Sequence, residues 1–470
     1  VLDAPVLRSS LVSPEFREYE RTATTVVSAY LTPSVADYLG ALDQRLPMGR
    51  RLVMTSSGGL LPFSAAPALA GRLVLSGPAA GAVAAAALGR HHGFETVISF
   101  DMGGTSTDVS RITGGAPTVG AGHHIGGRVN RVPAIAIRTI GAGGGSIGWL
   151  DAGGALRVGP RSAGAVPGPA AYGLGGLEPT VTDANLIAGK LPADLALAGT
   201  VALHPDRARE AVRRLAVAMH LGVDAAAAGI LDVVDSHMEH ALRSVSVEEG
   251  ADPREALLVA FGGAGGLHAT RLARRLGIST VLVPPLSGVF SALGLLLATP
   301  RTDAARTVMA AEGAADLGAM RRELEASVAA SHRETFGEAP AGMRTSADVR
   351  YVGQSHELEV RAEAGWVELQ AAFEDAHRQR FGFARPQEPV ELVNLRSVAN
   401  GVAPMTWSGV PAVGTDRTPE GRDGMWWRDT LPARFELDGP AVVVETDSTV
   451  LLEKGDHLVV LDDGTLEISL

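Results

Sequence analysis

The chain has no cysteine in 470 residues. That excludes disulfides, thiolate metal sites and a cysteine nucleophile, and it fits a reducing compartment such as the cytoplasm. Positive charge is in deficit: 41 Lys and Arg stand against 52 Asp and Glu, a formal net charge of −11. An acidic surface repels nucleic acid and anionic membrane, so neither is expected as a partner. No apolar run reaches the roughly 18 residues of a membrane span, and no signal-peptide pattern is visible. A methionine is also missing from the start. Val1 to Glu20 reads like the middle of a domain, so further sequence upstream of Val1 is expected.

Glycine, by contrast, is abundant. Its 57 residues gather in short clusters between apolar runs, a distribution that points to tight turns and close backbone approach to ligands. Around those clusters the pattern alternates. The spacing predicts helices over 16–46, 206–221 and 225–247, and one starting near Pro78 in the alanine-rich stretch 79–88. Buried strands are predicted at 51–54, 96–100, 257–261 and 280–283, with a short helix at 267–276. Strand, glycine turn, helix and strand recur, which argues for an α/β core. Beyond about Pro300 the character changes to a charged helical stretch at 309–336. Strand patterns follow at 349–352, 356–360, 390–395, 441–445 and 458–461, with a polar loop over 407–432. The expected division is a core over 1–300, a helical connector over 301–345 and a smaller β-rich domain over 346–470.

One turn carries the densest chemistry, Asp101-Met-Gly-Gly-Thr-Ser-Thr-Asp108. A predicted strand delivers a carboxylate at its end. Gly103 and Gly104 let backbone N–H groups converge on an anion, and the hydroxyls of Thr105, Ser106 and Thr107 add donors for phosphate oxygens. Asp101 is placed to hold magnesium, directly or through water, because that ion prefers carboxylate and phosphate oxygens. The bland alternative is a tight hairpin whose Asp and Thr satisfy their own backbone. Two acids, three hydroxyls and two glycines in eight residues favour function. It is not a Walker loop, since no Gly-Lys-Ser/Thr follows. An acid followed by Gly-Gly-Thr at a strand end points instead to an actin-like ATPase, in which such a hairpin grips the terminal phosphates.

The other candidates are weaker. Gly262-Gly263-Ala264-Gly265 opens like a dinucleotide fingerprint, but His268 stands where the third glycine belongs and no acid ends the next strand. In an actin-like reading this turn packs against the adenosine; a plain strand-to-helix turn fits as well. Gly141 to Gly145 could be a hinge, a ligand-approach loop or a hairpin. The Gly-x-Ser-x-Gly match around Ser146 lacks the preceding strand and following helix of a nucleophile elbow. His237 and His240, three apart on a helix, could supply two metal ligands, but no third is evident.

Taken together these segments resemble the hydantoinase A/oxoprolinase family, which includes ATP-dependent N-methylhydantoinase, 5-oxoprolinase and the ATP-binding subunit of acetone carboxylase. The matching stretches are Ser13 to Arg21, Ser76 to Gly81, Asp101 to Asp108, Thr139 to Ile147, Pro167 to Ala170, Pro179 to Asn185, Ala260 to Ala269, Arg350 to Gln354 and Gly439-Pro440. The resemblance implies an actin-like (ribonuclease H-like) ATPase core, incomplete at its N-terminus, since the family carries a first Asp-x-Gly-Gly-Thr turn absent here. It implies ATP and magnesium as cofactors, with Asp101 and Asp108 as catalytic acids. It also implies phosphoryl activation of a carbonyl oxygen in a small cyclic amide or ketone, and a B-type partner subunit or domain. Catalysis of this kind rests on positioning and charge neutralisation. The sequence departs from the family at Ala136 and Arg138, where Asp and His are usual, at Ala171 (usually Cys) and at Gly266 (usually Pro). The expected activity is ATP-dependent hydrolysis of a cyclic amide. A ketone carboxylase subunit and a nucleotide-binding module without turnover are the alternatives.

Overall fold

Leu257-Leu-Val-Ala-Phe261 is apolar at every position, and every residue of it is buried. A strand covered on both faces reads as such a continuous run, and parallel pairing is its usual setting. In the computed structural model it pairs in parallel with Val97–Met102 on one side and Thr280–Val283 on the other, with Phe261 opposite Asp101. The structure describes residues 6–47, 49–120, 122–194, 196–197, 199–362, 365–412 and 418–470.

These residues group into two units. One comprises Gly77–Thr118, Ile135–Leu297 and Met405–Leu470; the other comprises Val1–Ser76, Val119–Ala134 and Ala298–Pro404. The first holds a large mixed sheet. Its order is Ile137–Ile140, Thr107–Thr113, Val97–Met102, Leu257–Phe261, Thr280–Val283, Leu466–Ser469, His457–Val460 and Glu436–Asp438. Alternate side chains enter two cores, as the period of a strand requires. Ile98, Phe100, Leu258, Ala260, Val281 and Val283 join one cluster with helices Pro205–Ala218, Val223–Ser244 and Gly265–Leu276. Val97, Leu257, Val259, Phe261 and Leu282 join the other with helices Ser76–His91 and Phe290–Leu297.

Small residues set the spacing on that second face. A Cβ at Gly81 would lie 2.8 Å from the Phe261 ring, and one at Gly294 would lie 2.0 Å from the Ala80 carbonyl oxygen. The alanine run 84–87 is therefore a close-packing device between sheet and helix. Next to this sheet, Ala441–Val444 and Thr449–Leu452 form an antiparallel pair in a four-stranded sheet, where Met425–Trp427 runs parallel to Ala441–Val444.

The other unit is built on an antiparallel sheet ordered Arg301–Ala311, Val390–Asn400, Gly342–Tyr351 and Leu358–Arg361. Helices Leu317–Phe336 and Trp366–Phe381 bury Val328, Leu369 and Phe373 against it. The long helix Glu18–Arg45 belongs to this unit and is preceded by Glu15. Glu15 is buried, and Arg396 (2.6 Å) and Arg131 (3.3 Å) pair with it. Arg396 also bonds Asp348, so the motif at residues 13–21 anchors a charged core.

This grouping divides the chain differently from the linear expectation of 1–300, 301–345 and 346–470. Residues 301–311 are a strand, not part of a helical connector, and the strands after 346 are shared between the two units. The strand 466–469 returns to the large sheet beside Thr280–Val283. Among the described residues no single helix is long and apolar enough to cross a membrane.

Candidate active site

The Asp101 segment is a β-hairpin. Val97–Met102 and Thr107–Thr113 pair antiparallel with Asp101 directly opposite Asp108, and Gly103 N–H donates to the Ser106 carbonyl across the tip (3.1 Å). The tip residues Gly104 and Thr105 are exposed. Burial pushes the Asp101 carboxyl up to about 6, and the facing Asp108 adds to the rise, while a hydrogen bond from Ser291 Oγ at 3.3 Å opposes it. Burial raises Asp108 as well, against a 2.5 Å hydrogen bond donated by the Thr139 hydroxyl. Among the described residues, no ion pair is made by either acid. Two facing carboxylates, both raised by burial, form a donor set that suits a divalent cation with a taste for oxygen.

Two glycine clusters converge on this hairpin. Gly144 N–H donates to Gly103 O (3.0 Å) and Gly145 N–H to Gly104 O (2.6 Å). A Cβ at Gly143 would lie 2.6 Å from Thr105 N, so only glycine lets the loop lie against the tip. From the other side, Ala264 N–H donates to Met102 O at 3.0 Å. Gly262 has φ +80°, and a Cβ there would lie 2.5 Å from Asp101 Oδ1. Gly262, Gly263, Ala264 and Gly265 thus lie beside Asp101, at the start of helix Gly265–Leu276. A helix start offers N–H groups and a positive dipole end to an anion.

Not every expected donor faces outward. Thr107 is fully buried, and its hydroxyl donates to Ala142 O at 2.5 Å. It fastens the hairpin to the 141–145 loop, so its hydroxyl proton is already committed inside the fold. The amide of Ala264 is likewise taken up by Met102, so this residue ties the two turns together. Ser146 is buried and opens strand Ser146–Leu150, which is incompatible with a nucleophile elbow. Among the described residues, no group of three metal-ligand side chains includes His237 or His240.

The sequence reading missed two contributors. Ser291, at the start of helix Phe290–Leu297, bonds Asp101 across 190 residues of chain. Asp447 accepts from Gly288 N–H, and a Cβ at Gly288 would lie 2.4 Å from its carboxyl carbon. Its backbone carbonyl oxygen is 3.2 Å from where a Gly263 Cβ would sit. Neither has a local spacing signal. The expected departures also find places. Arg138 is exposed on strand Ile137–Ile140, opposite Val109, and Gly266 lies against the Thr449 carbonyl, 2.6 Å from where its Cβ would be.

A mixed sheet flanked by helices on both faces, with a glycine-tipped acidic hairpin at a strand end, is an actin-like ATPase architecture. The solved structures agree. The chain matches the crystal structure of ATP-dependent caprolactamase from Pseudomonas jessenii with a TM-score of 0.84 and 32% identity, covering 100% of this chain and 73% of that one. It matches nucleotide-free acetone carboxylase with a TM-score of 0.76, where 24% identity over 98% of this chain and 70% of that one shows the fold alone.

Residues 21–304 match the model of the hydantoinase/oxoprolinase family, and the chain belongs to that family. It is 35% identical to the caprolactamase alpha subunit of Pseudomonas jessenii over 97% of this chain and 71% of that one. It is 38% identical to an uncharacterized protein of Methanocaldococcus jannaschii over 95% of this chain and 70% of that one. Against 5-oxoprolinase 1 of Arabidopsis thaliana the identity is 32% over 98% of this chain, but over 39% of that much longer protein.

Proposed function

We propose that this chain binds ATP at the Asp101 hairpin and serves ATP-dependent hydrolysis of a small cyclic amide. The observation that carries the reading is the convergence of three loops on Asp101: its own hairpin tip, Gly143–Gly145 and Gly262–Gly265. The reading is supported by relatives named caprolactamase and 5-oxoprolinase, both cyclic-amide hydrolases by name.

In this reading the N–H groups of Gly104 and Thr105, with the Thr105 and Ser106 hydroxyls, hold the terminal phosphates, while Gly103 N–H closes the turn on the Ser106 carbonyl. Asp101 and Asp108 would hold magnesium, which neutralises phosphate charge when bound. The 262–265 turn faces the nucleoside side. The amide carbonyl oxygen of the substrate attacks the γ-phosphorus, the bond to the β-phosphate oxygen breaks, and ADP leaves. The carbon bearing the phosphorylated oxygen is then open to water; phosphate leaves, the ring nitrogen takes a proton, and the C–N bond breaks to open the ring. The chain's own task is positioning and neutralisation of charge. A B-type subunit or domain would supply the hydrolytic half, and the cytoplasm is the compartment that suits a cysteine-free ATP user.

A second reading is a subunit of a ketone carboxylase. It is favoured by 30% identity to the acetophenone carboxylase gamma subunit of Aromatoleum aromaticum, over 98% of this chain and 68% of that one. Nucleotide binding and ADP release separate the readings when the protein is assayed with its genomic neighbours. ADP release stimulated by lactams or hydantoins supports the first. Release stimulated by ketones with bicarbonate supports the second. If Asp101→Ala binds magnesium-ATP as tightly as the parent, the assignment of this hairpin fails.

A further inference from the structure

A second constellation lies away from the hairpin, at the far end of helix Ser76–His91. His91 closes that helix, His92 follows it, and Asp463 sits in the turn between His457–Val460 and Leu466–Ser469. His92 Nε2 is 3.0 Å from Asp463 Oδ2, and His91 Nε2 is 3.9 Å from the same oxygen. One ligand atom from each of the three residues falls within 4.8 Å of the others. A tetrahedral ion with bonds of roughly 2.0–2.1 Å keeps its donors about 3.3 Å apart. The observed separations bracket that value, so small rotations about the side-chain bonds would close the set.

Three further features suit a cation here. The carboxylate is already oriented: Trp407 Nε1 donates to Asp463 Oδ2 at 2.7 Å, and Thr465 N–H donates to Oδ1 at 3.0 Å. Outer partners of this type fix a ligand before the ion arrives. The two imidazoles stand edge to face at 81°, with centroids 4.8 Å apart, so they approach Asp463 from different directions instead of stacking. Both lie at the carbonyl end of a helix, which favours positive charge.

The groups facing the set are His91, His92, Arg434, Asp462 and Asp463, around a cavity of about 390 Å³. The Arg434 guanidinium is 3.5 Å from Asp462, which offsets its charge. The cavity leaves room for water to complete a coordination sphere. A plain His92–Asp463 hydrogen bond would need neither His91 nor the indole.

We propose that His91, His92 and Asp463 form a binding site for a divalent transition metal of the zinc class, with Trp407 as the residue that positions the carboxylate. Two histidines and one carboxylate match the ligand preference of zinc and cobalt over magnesium. The site clamps the end of a core helix to the 461–465 turn.

The test uses the untagged protein stripped with a chelator and titrated calorimetrically with zinc sulfate. Cobalt chloride then reports ligand geometry by visible absorption. We expect saturable zinc binding and the intense visible bands of four-coordinate cobalt. His91→Ala leaves the Trp407–Asp463–His92 contacts in place, so it should fold, and it should weaken zinc at least about tenfold. Trp407→Phe should weaken zinc by roughly tenfold while cobalt keeps its bands. Asp101→Ala should leave zinc affinity unchanged, which distinguishes this site from the hairpin. No saturable binding by the parent, or equal affinity in His91→Ala, overturns the proposal.

Discussion

Replacing Gly262 by alanine tests whether the loops around Asp101 form a rigid pinch. Two penalties act at that position. The first is backbone strain: φ is +80°, and a left-handed residue bearing a Cβ costs about 1–2 kcal/mol. The second is contact. The new methyl carbon would stand 2.5 Å from Asp101 Oδ1, 2.5 Å from Met102 O and 2.9 Å from Met102 C. Asp101 can rotate, but the Met102 backbone is held by pairing of its strand with Thr107–Thr113 and by the hydrogen bond from Ala264. Overpacking against a fixed backbone adds about 1–3 kcal/mol. The sum is about 2–5 kcal/mol of lost stability, with weakened magnesium-ATP binding because Asp101 is displaced. Gly114→Ala is the matched control. Gly114 has φ +59° with nothing within 4 Å of its Cβ position, so it carries only the first penalty. Denaturant midpoints of the unit containing both residues, together with nucleotide Kd values, give the comparison. Equal destabilisation by the two substitutions, with nucleotide binding intact, would refute the claim that the strand end is pinched.

Further outcomes follow from the same contacts. Asp101 has its folded-state value raised from 3.8 to about 6, so the cost of ionising it in the fold is absent below about pH 4, grows between about pH 4 and 6, and is constant above that. Asp101→Asn should therefore stabilise the magnesium-free protein at pH 7 by up to about 2–3 kcal/mol, and the gain should vanish near pH 4 in chemical denaturation. In the parent, magnesium affinity should fall as pH drops below about 6, because protons compete for that carboxylate; a flat profile in calorimetry would contradict the assignment. Thr107→Ala should cost about 1–3 kcal/mol of stability by leaving the buried Ala142 carbonyl without its donor. Thr105→Ala, at the exposed tip, should leave the melting temperature unchanged and weaken ATP binding. If the two threonines reverse these effects, the division between fastener and phosphate donor is wrong.

How much of this was legible in the sequence depended on whether the signal was local. The strands 257–261 and 280–283 were read to the residue, because continuous apolar runs bounded by turn residues leave little choice. The long helices were found within a few residues for the same reason. Helix Trp366–Phe381 was missed inside a region read as strands; its apolar stripe is short, with Leu369 and Phe373 its buried apolar anchors. Strand Arg301–Ala311 was read in part as helix. It lacks clean alternation and carries a register shift between Thr307 and Ala310, with Met309 at φ 51°. At the site, the hairpin and the 262–265 turn were visible because each is a compact run of acids, hydroxyls and glycines. That Gly143–Gly145 would lie on the hairpin was not, since a glycine run is compatible with many conformations until its neighbour is known. Ser291 and Asp447 come to the site from a helix and from the turn of another strand pair, and no spacing rule spans such distances.

The insertion of Leu466–Ser469 between Thr280–Val283 and His457–Val460 has a consequence for how this protein is made. The sheet that carries the hairpin joins strands separated by more than 180 residues of chain, and residues 298–404, the longest segment of the other unit, emerge between them. During synthesis the three parallel strands can assemble early, but the edge at Thr280–Val283 stays unpaired until residues 466–469 leave the ribosome. Exposed edges of this kind invite pairing with other chains, and long-range closures are slow. The vulnerable interval for aggregation is therefore the time taken to translate from about residue 283 to residue 469.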